Sequence, residues 1–572
     1  MSAVPPFTTR GQTSTPDAKG RLGFDWTLTS SSLRDTVILT AKVHVLPIIF
    51  VPGIMGSNLR SRAGTKPPVW RLDTAFGEPV GLLMKYRKAD SGERQSILHP
   101  DRVEVDPDGA VPKHVNGIGD RDAVRARGWG EVAQGSYQSF LLWLDEQLNP
   151  PEPNPALWRE YYQDETTISA TPKPGDIPKL YPGIRMGLQG QPFGAEKEPF
   201  ASIMTDDLLR RSKFAMPIHA VGYNWLDSNS NAARATLKPA IERIIKQYDG
   251  RYSSCEQVIL VTHSMGGLVA RACAELPGMA EKIAGVVHGV MPAAGAAVAY
   301  RRCKVGMSQE GYLAGLVLGS TGKEVTSVFA QAPGALQLLP TADYQAGWLQ
   351  VMHGKAAVET QPRSNPYDDI YLCRDKWWGL INEAWLSPKN GVPIKWADFE
   401  ENIAESKRFH SKLAGKFHKT TYAYYGADKQ QASFEKVTWR MSAGLRPDDR
   451  PAPTAEQAAV LSPNQVRADG TSPEYVGGKT EVQTNWSPMG GGSVTIYDSS
   501  YWELHCEMQD GVGDGTVPQS SGAAPLKASQ ANVHQQFRLS GFDHEKSYRN
   551  AAARAATLYS INKLAGIAKI SE

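Results

Sequence analysis

One run of fourteen residues constrains this chain more than any other: Val258-Ile-Leu-Val-Thr-His263-Ser264-Met265-Gly266-Gly267-Leu-Val-Ala-Arg271. Apolar, largely β-branched residues lead into it, and small helix-compatible residues leave it. A buried strand therefore has to pass into a helix across one tight turn, with a serine at the apex. Such an elbow holds the hydroxyl above the strand end. Small residues beside it let strand and helix pack closely, and the helix N-terminus favours a developing oxyanion. A serine that merely capped a helix would not need two glycines after it. The first position of the elbow is Thr262 where glycine is usual, so the turn must leave more room there. Ser264 is the expected nucleophile.

A serine hydroxyl needs a histidine base, and the histidine needs a carboxylate to fix its tautomer. On a fold with this elbow the chain order is serine, acid, histidine. The best acid after Ser264 is Asp514, set between glycines in Gly511-Val-Gly-Asp514-Gly-Thr-Val-Pro518, with Asp510 and Asp543 as rivals. The expected base is His544, in Gly541-Phe-Asp-His544-Glu-Lys, between the last strand pattern and the last helix pattern. His534 falls in or just before that strand, and His505 precedes the acid. His263 is expected to pack beside the turn. An oxyanion hole needs two backbone N–H groups. Met265 should give one, and Ile54 the other, with Met55 as its alternative, in the Pro52-Gly53-Ile54-Met55-Gly56 turn that follows the apolar run Leu46 to Val51.

The surrounding pattern alternates strand and helix. IHAVGYNW from 218, Gln257 to Thr262, Ile283 to Val290, TTYAYYGA at 420–427 and VHQQFRL at 533–539 read as strands. Asn231 to Tyr248, Met265 to Leu276 and Tyr548 to Leu564 read as helices. Alternation of this kind predicts an α/β-hydrolase fold: a mostly parallel central sheet with helices on both faces and large cap insertions. The core is expected from 20–56, 216–295, 418–430 and 500–572. An insertion at 57–215 holds one amphipathic helix, marked by Tyr137, Phe140, Leu141, Leu144 and Leu148, and a proline-rich loop, NPPEPNPALW. Residues 296–417 are expected to form a cap or lid, and 431–499, rich in Pro, Gly, Ser and Ala, a loop-rich excursion. Tyr312, Leu313, Leu316, Val317 and Leu318 form an apolar turn and a half that suits a lid touching substrate, or else a buried cap helix.

Composition excludes several classes. Of 572 residues, 62 are basic and 59 acidic, a net charge of +3 without the basic stripe of a nucleic-acid protein. Five widely spaced cysteines give neither metal-ligand spacing nor a disulfide framework. No metal and no organic cofactor is expected, because the serine chemistry needs neither. The N-terminus lacks the apolar core of a secretory signal, and no stretch is long enough to span a bilayer.

VPGIMGS, GYNW, HSMGG, TTYAYYG, GDGTVP and the late histidine together resemble lecithin:cholesterol acyltransferase-like and GPI inositol-deacylase-like lipases. Size, the missing signal and the long insertions resemble more narrowly the fourth family of bacterial type VI secretion lipase effectors. The resemblance implies a lipid acyl ester as substrate, with the serine, the GDGTVP aspartate and the late histidine as triad. It also implies synthesis in a bacterial cytoplasm, injection into a rival cell, action in the periplasm or at membranes there, and an immunity protein and a secretion component as partners. The alternative expectation is a soluble carboxylesterase or thioesterase acting on smaller acyl substrates.

Overall fold

A computed structural model describes residues 43–71, 86, 88–115, 117–149, 194–250, 253–307, 319–445, 451–477 and 499–570. It also gives the backbone of short strands at 8–11, 14–16, 22–24, 36–39, 480–485 and 493–498. The centre is a six-stranded sheet built from β1 (Ile48–Val51), β2 (Ile218–Ala220), β3 (Val258–His263), β4 (Ile283–Gly289), β5 (Thr421–Gly426) and β6 (Val533–Leu539). Its order is β2-β1-β3-β4-β5-β6, and every neighbouring pair is parallel.

β1, β3 and β4 are buried at every position, which is why they read as unbroken apolar runs rather than alternating ones. Successive side chains still go to opposite faces. Ile49, Val51, Leu260 and Val286 join one core cluster, which also contains Leu268 and Val269 of helix α2 (Gly266–Ala274). Ile48, Phe50, Ile259, Val261 and Val287 join the other. That second face is covered by α1 (Gln134–Leu148) and by the C-terminal helix α4 (Ala551–Ile567). The ring of Phe50 lies 4.8 Å from that of Tyr137 and 5.7 Å from those of Phe140 and Tyr548. Helix α3 (Trp396–Leu413) buries Phe399, Ile403, Phe409 and Leu413 against the first cluster.

Three expectations about organisation need correction. The segment expected to open the core at 20–56 does not enter the main sheet from its start: 22–24 pairs with 14–16, and 36–39 with 8–11. Val43–Val45 belongs to a separate three-stranded sheet with Phe214–Ala215 and Ser253–Ser254, so the core sheet starts at Ile48. The region 431–499 is not mainly loop. Val437–Ala443, Val466–Arg467 and Glu474–Val476 are strands of a second six-stranded sheet, completed by Leu349–His353, Ala356–Gln361 and Trp502–Cys506. That sheet is antiparallel except where Leu349–His353 runs parallel to Val437–Ala443. Residues 502–506, expected in the core, therefore belong to this second sheet. Val437, Trp439 and Met441 supply its buried face, and a cap segment and the excursion thus share one hydrophobic layer.

Candidate active site

Ser264 comes directly after β3 and has a φ of +52°, a left-handed conformation that costs a residue with a side chain roughly 1–2 kcal/mol. The surroundings hold it there. Its N–H donates to the Gly289 carbonyl at the end of β4 (2.9 Å), and its own carbonyl accepts from Gly267 (2.9 Å). A Cβ on Gly266 would lie 2.4 Å from the Pro52 carbonyl oxygen, so glycine is required where α2 crosses the end of β1.

Thr262 departs from the usual glycine by pairing across the sheet. It stands opposite His288 in register, and its hydroxyl lies 3.0 Å from His288 Nδ1. Burial lowers the pKa of His288 to about 3, so the ring is neutral and bonds as a neutral partner.

The structure brings Ser264, His544 and Asp514 together. His544 Nε2 lies 2.8 Å from Ser264 Oγ, and His544 Nδ1 lies 2.8 Å from Asp514 Oδ2. A carboxylate only accepts, so Nδ1 carries the proton and Nε2 presents its lone pair to the serine hydroxyl. Asp514 is 1% exposed. Its other oxygen accepts from the Thr516 and Val517 amides at 3.1 and 2.7 Å. Its carbonyl accepts from the His544 amide at 2.8 Å, so the aspartate grips the histidine through both side chain and main chain. A Cβ on Gly426, the last residue of β5, would lie 2.6 Å from the Asp514 Cβ.

The rival residues are engaged elsewhere. Asp510 accepts from the Glu435 and Lys436 amides, and Asp543 from Lys546. His534 bonds the Lys419 carbonyl, and His505 faces Glu503.

Met265 follows Ser264 directly, and Ile54 lies in the turn after β1, where a Cβ on the neighbouring Gly53 would come 3.0 Å from the Ser264 Cβ. Among the described residues neither N–H donates a hydrogen bond within the chain. The turn after β1 is pinned on both sides: the indole of Trp70 donates to the Met55 carbonyl (2.8 Å), and Gly56 N–H to the Gly53 carbonyl (3.0 Å). Met55 takes a left-handed φ of +62°. The lid residues Tyr312, Leu313, Leu316, Val317 and Leu318 lie outside the described residues.

His263 does more than pack. Its Nε2 is 2.9 Å from the His544 carbonyl, which can only accept, so Nε2 carries the proton. Nδ1 must then accept, and its partner is the Tyr137 hydroxyl at 3.0 Å. The Tyr137 oxygen in turn accepts from Gly53 N–H at 3.2 Å. One hydrogen-bond chain thus runs from the turn after β1, through helix α1, to the loop that carries His544. Burial, with a smaller contribution from His544, lowers the His263 pKa to about 3 and keeps the ring neutral.

Sheet, flanking helices and strained elbow define an α/β-hydrolase. Residues 195–306, which hold β2, β3, α2 and β4, match the family described as PGAP1-like alpha/beta domain. Over its length the chain is similar to the solved structure described as the crystal structure of the Tle4-Tli4 complex. The two are 28% identical with a TM-score of 0.65, over 92% of this chain and 99% of that one. Phospholipase PlaB from Legionella pneumophila also aligns, at 13% identity over 50% of this chain and 83% of that one, but its TM-score of 0.15 carries no argument. No curated protein sequence matches the chain.

Proposed function

We propose that this chain is a serine lipase that hydrolyses acyl esters of membrane phospholipids, with Ser264 as nucleophile, His544 as general base and acid, and Asp514 as the residue that orients the histidine. The observation that carries the reading is the hydrogen-bonded line from Asp514 Oδ2 through both His544 nitrogens to Ser264 Oγ, 2.8 Å at each step. His544 Nε2 takes the hydroxyl proton as Oγ attacks the ester carbonyl carbon. The Met265 and Ile54 amides stabilise the oxyanion that forms. Collapse breaks the ester C–O bond, and His544 returns the proton to the leaving lysolipid oxygen. Water then attacks the acyl-enzyme, again giving its proton to His544, and the free fatty acid departs as Ser264 recovers its proton.

The lipid part of the reading is supported by the similarity to the Tle4-Tli4 structure, together with the resemblance of the motifs to type VI secretion lipase effectors. On that basis the chain acts as an antibacterial effector on the membranes of a target cell, and an immunity protein holds it inactive in its own.

The test is mass spectrometry of the products released from phosphatidylethanolamine and phosphatidylglycerol vesicles. The wild type should yield free fatty acid and lysolipid. Ser264→Ala should lose about four to six orders of magnitude in rate, the scale of removing a serine nucleophile. Near-wild-type release by Ser264→Ala would overturn the triad. Intact vesicles alongside rapid cleavage of acetate and butyrate esters would instead leave a small-substrate esterase.

A further inference from the structure

A cleft of about 420 Å³ opens on the flank of α2, beginning at Leu268, about one helical turn past the elbow. That volume is ordinary for a small-molecule site. None of Ser264, Met265, Asp514 and His544 lines it. Leu268, Ala293, Phe409, Phe417 and Ala524 give it apolar walls.

The charged group within it is Arg271, only 5% exposed. The carbonyls just past the end of α3 and at its last residue hold two of the guanidinium nitrogens: Nε donates to Lys416 (3.0 Å) and Nη2 to Leu413 (2.5 Å). The ring of Phe417 packs 4.1 Å from the guanidinium carbon. The third nitrogen, Nη1, has no hydrogen-bond partner among the described residues, and no described carboxylate forms an ion pair with the side chain. Burial lowers its pKa to about 10, so it stays charged at neutral pH. Exposed Asp343 and exposed Lys527 also line the cleft, and Glu275 and Asp343 act on the guanidinium from beyond ion-pair distance. The free donor edge of this largely buried cation opens onto the cleft rather than into packed protein. It is suited to an anionic head attached to an aliphatic tail.

We propose that this cleft binds an aliphatic carboxylate, a fatty acid, with its carboxylate on Arg271 Nη1 and its chain along the apolar wall. The acid released by the hydrolysis proposed above is of this class, and the inference rests on that reading for the source of the ligand. Occupancy bridges α2, which begins at the elbow, and the C-terminal end of α3, so the product would be held beside the elbow without touching Ser264.

The test is calorimetric titration of the full-length Ser264→Ala protein with dodecanoate below its micelle concentration. Binding there does not depend on catalysis, so a negative result leaves the lipase reading intact, and vesicle hydrolysis tests that reading separately. Saturable binding at one site is expected. Arg271→Gln should weaken it at least tenfold, and dodecanol, with the same tail and no charge, should bind at least tenfold more weakly than dodecanoate. Arg271 also holds α3, so Ala524→Trp serves as a second variant that narrows the cleft and should abolish binding even if Arg271→Gln fails to fold. No binding, equal binding by Ala524→Trp, or equal binding of dodecanol would overturn the proposal. Inorganic phosphate binding as tightly as dodecanoate would also overturn it, since the tail would then count for nothing.

Discussion

Tyr137 stands at the centre of the proposed site without touching the reacting atoms. It joins Gly53 N–H to His263 Nδ1, and His263 passes the constraint to the His544 carbonyl. Tyr137→Phe leaves a buried amide and a buried ring nitrogen without partners, at a cost of about 1–3 kcal/mol. We expect kcat on a soluble ester to fall about tenfold with KM nearly unchanged, and the urea midpoint to drop; an unchanged kcat would remove Tyr137 from any positioning role. Thr262→Val strips the one described partner from buried His288, whose Nε2 has none among the described residues. That variant should lose about 1–3 kcal/mol of stability in denaturant titration yet still react with a fluorophosphonate probe. At this scale the sequence was informative where chemistry dictates chain order. Ser264, Asp514 and His544 could be chosen because each sits in a turn of distinctive composition. Tyr137 could not, because its partner lies 126 residues away and its spacing marked it only as part of an apolar helix face.

The elements show the same contrast. Strands β3 and β4 were legible because burial on both faces forces apolar runs, whereas β6 falls on the expected residues 533–539 although it is a mixed strand with His534 and Arg538 exposed. The second sheet was hidden because Pro- and Gly-rich connections dilute its short strands. Its one clear signal, the alternation Val437, Trp439, Met441, is local and does not say which strand it pairs with. The core of that sheet carries an unusual charge. Glu474 is 0% exposed with both carboxylate oxygens unpartnered among the described residues, and Lys304 donates instead to the Trp377 carbonyl. Burial raises the Glu474 pKa to about 7, partly offset by Lys304. Since the folded value lies above the unfolded one near 4.5, the stabilising contribution is complete below pH 4.5 and is lost as pH rises through 7. Glu474→Gln should therefore be the more stable protein at pH 8, by on the order of 2 kcal/mol, with the gap closing below pH 5. Melting curves at the two pH values check this, and a constant difference would refute it.

Over the whole molecule, buried imidazoles set the response to acid. Burial lowers the pKa of His219, His263, His288, His410 and His418, to about 3 for His263 and His288 and about 4 for His410. Their folded values lie below the unfolded value of 6.5, so the unfolded chain binds more protons and stability falls as pH drops from 6.5. Asp145, raised to about 6, and Glu131 and Glu474, each raised to about 7, oppose this. Among the described residues these imidazoles outnumber those carboxyls, so stability should fall as pH drops from 6.5 toward 4.5. Differential scanning calorimetry across that window should show a melting temperature that falls with acid, and a flat profile would contradict it.

Cross-strand pairing of Thr262 with His288 also limits the routes by which the chain can change through descent. A lineage that restored glycine at 262 would strand the histidine, and one that lost the histidine would leave a threonine hydroxyl facing an apolar neighbour. Each single step passes through a handicapped intermediate. The two positions should therefore be inherited as a unit, with relatives carrying both residues or neither, and the unusual threonine should persist long after the circumstance that first admitted it.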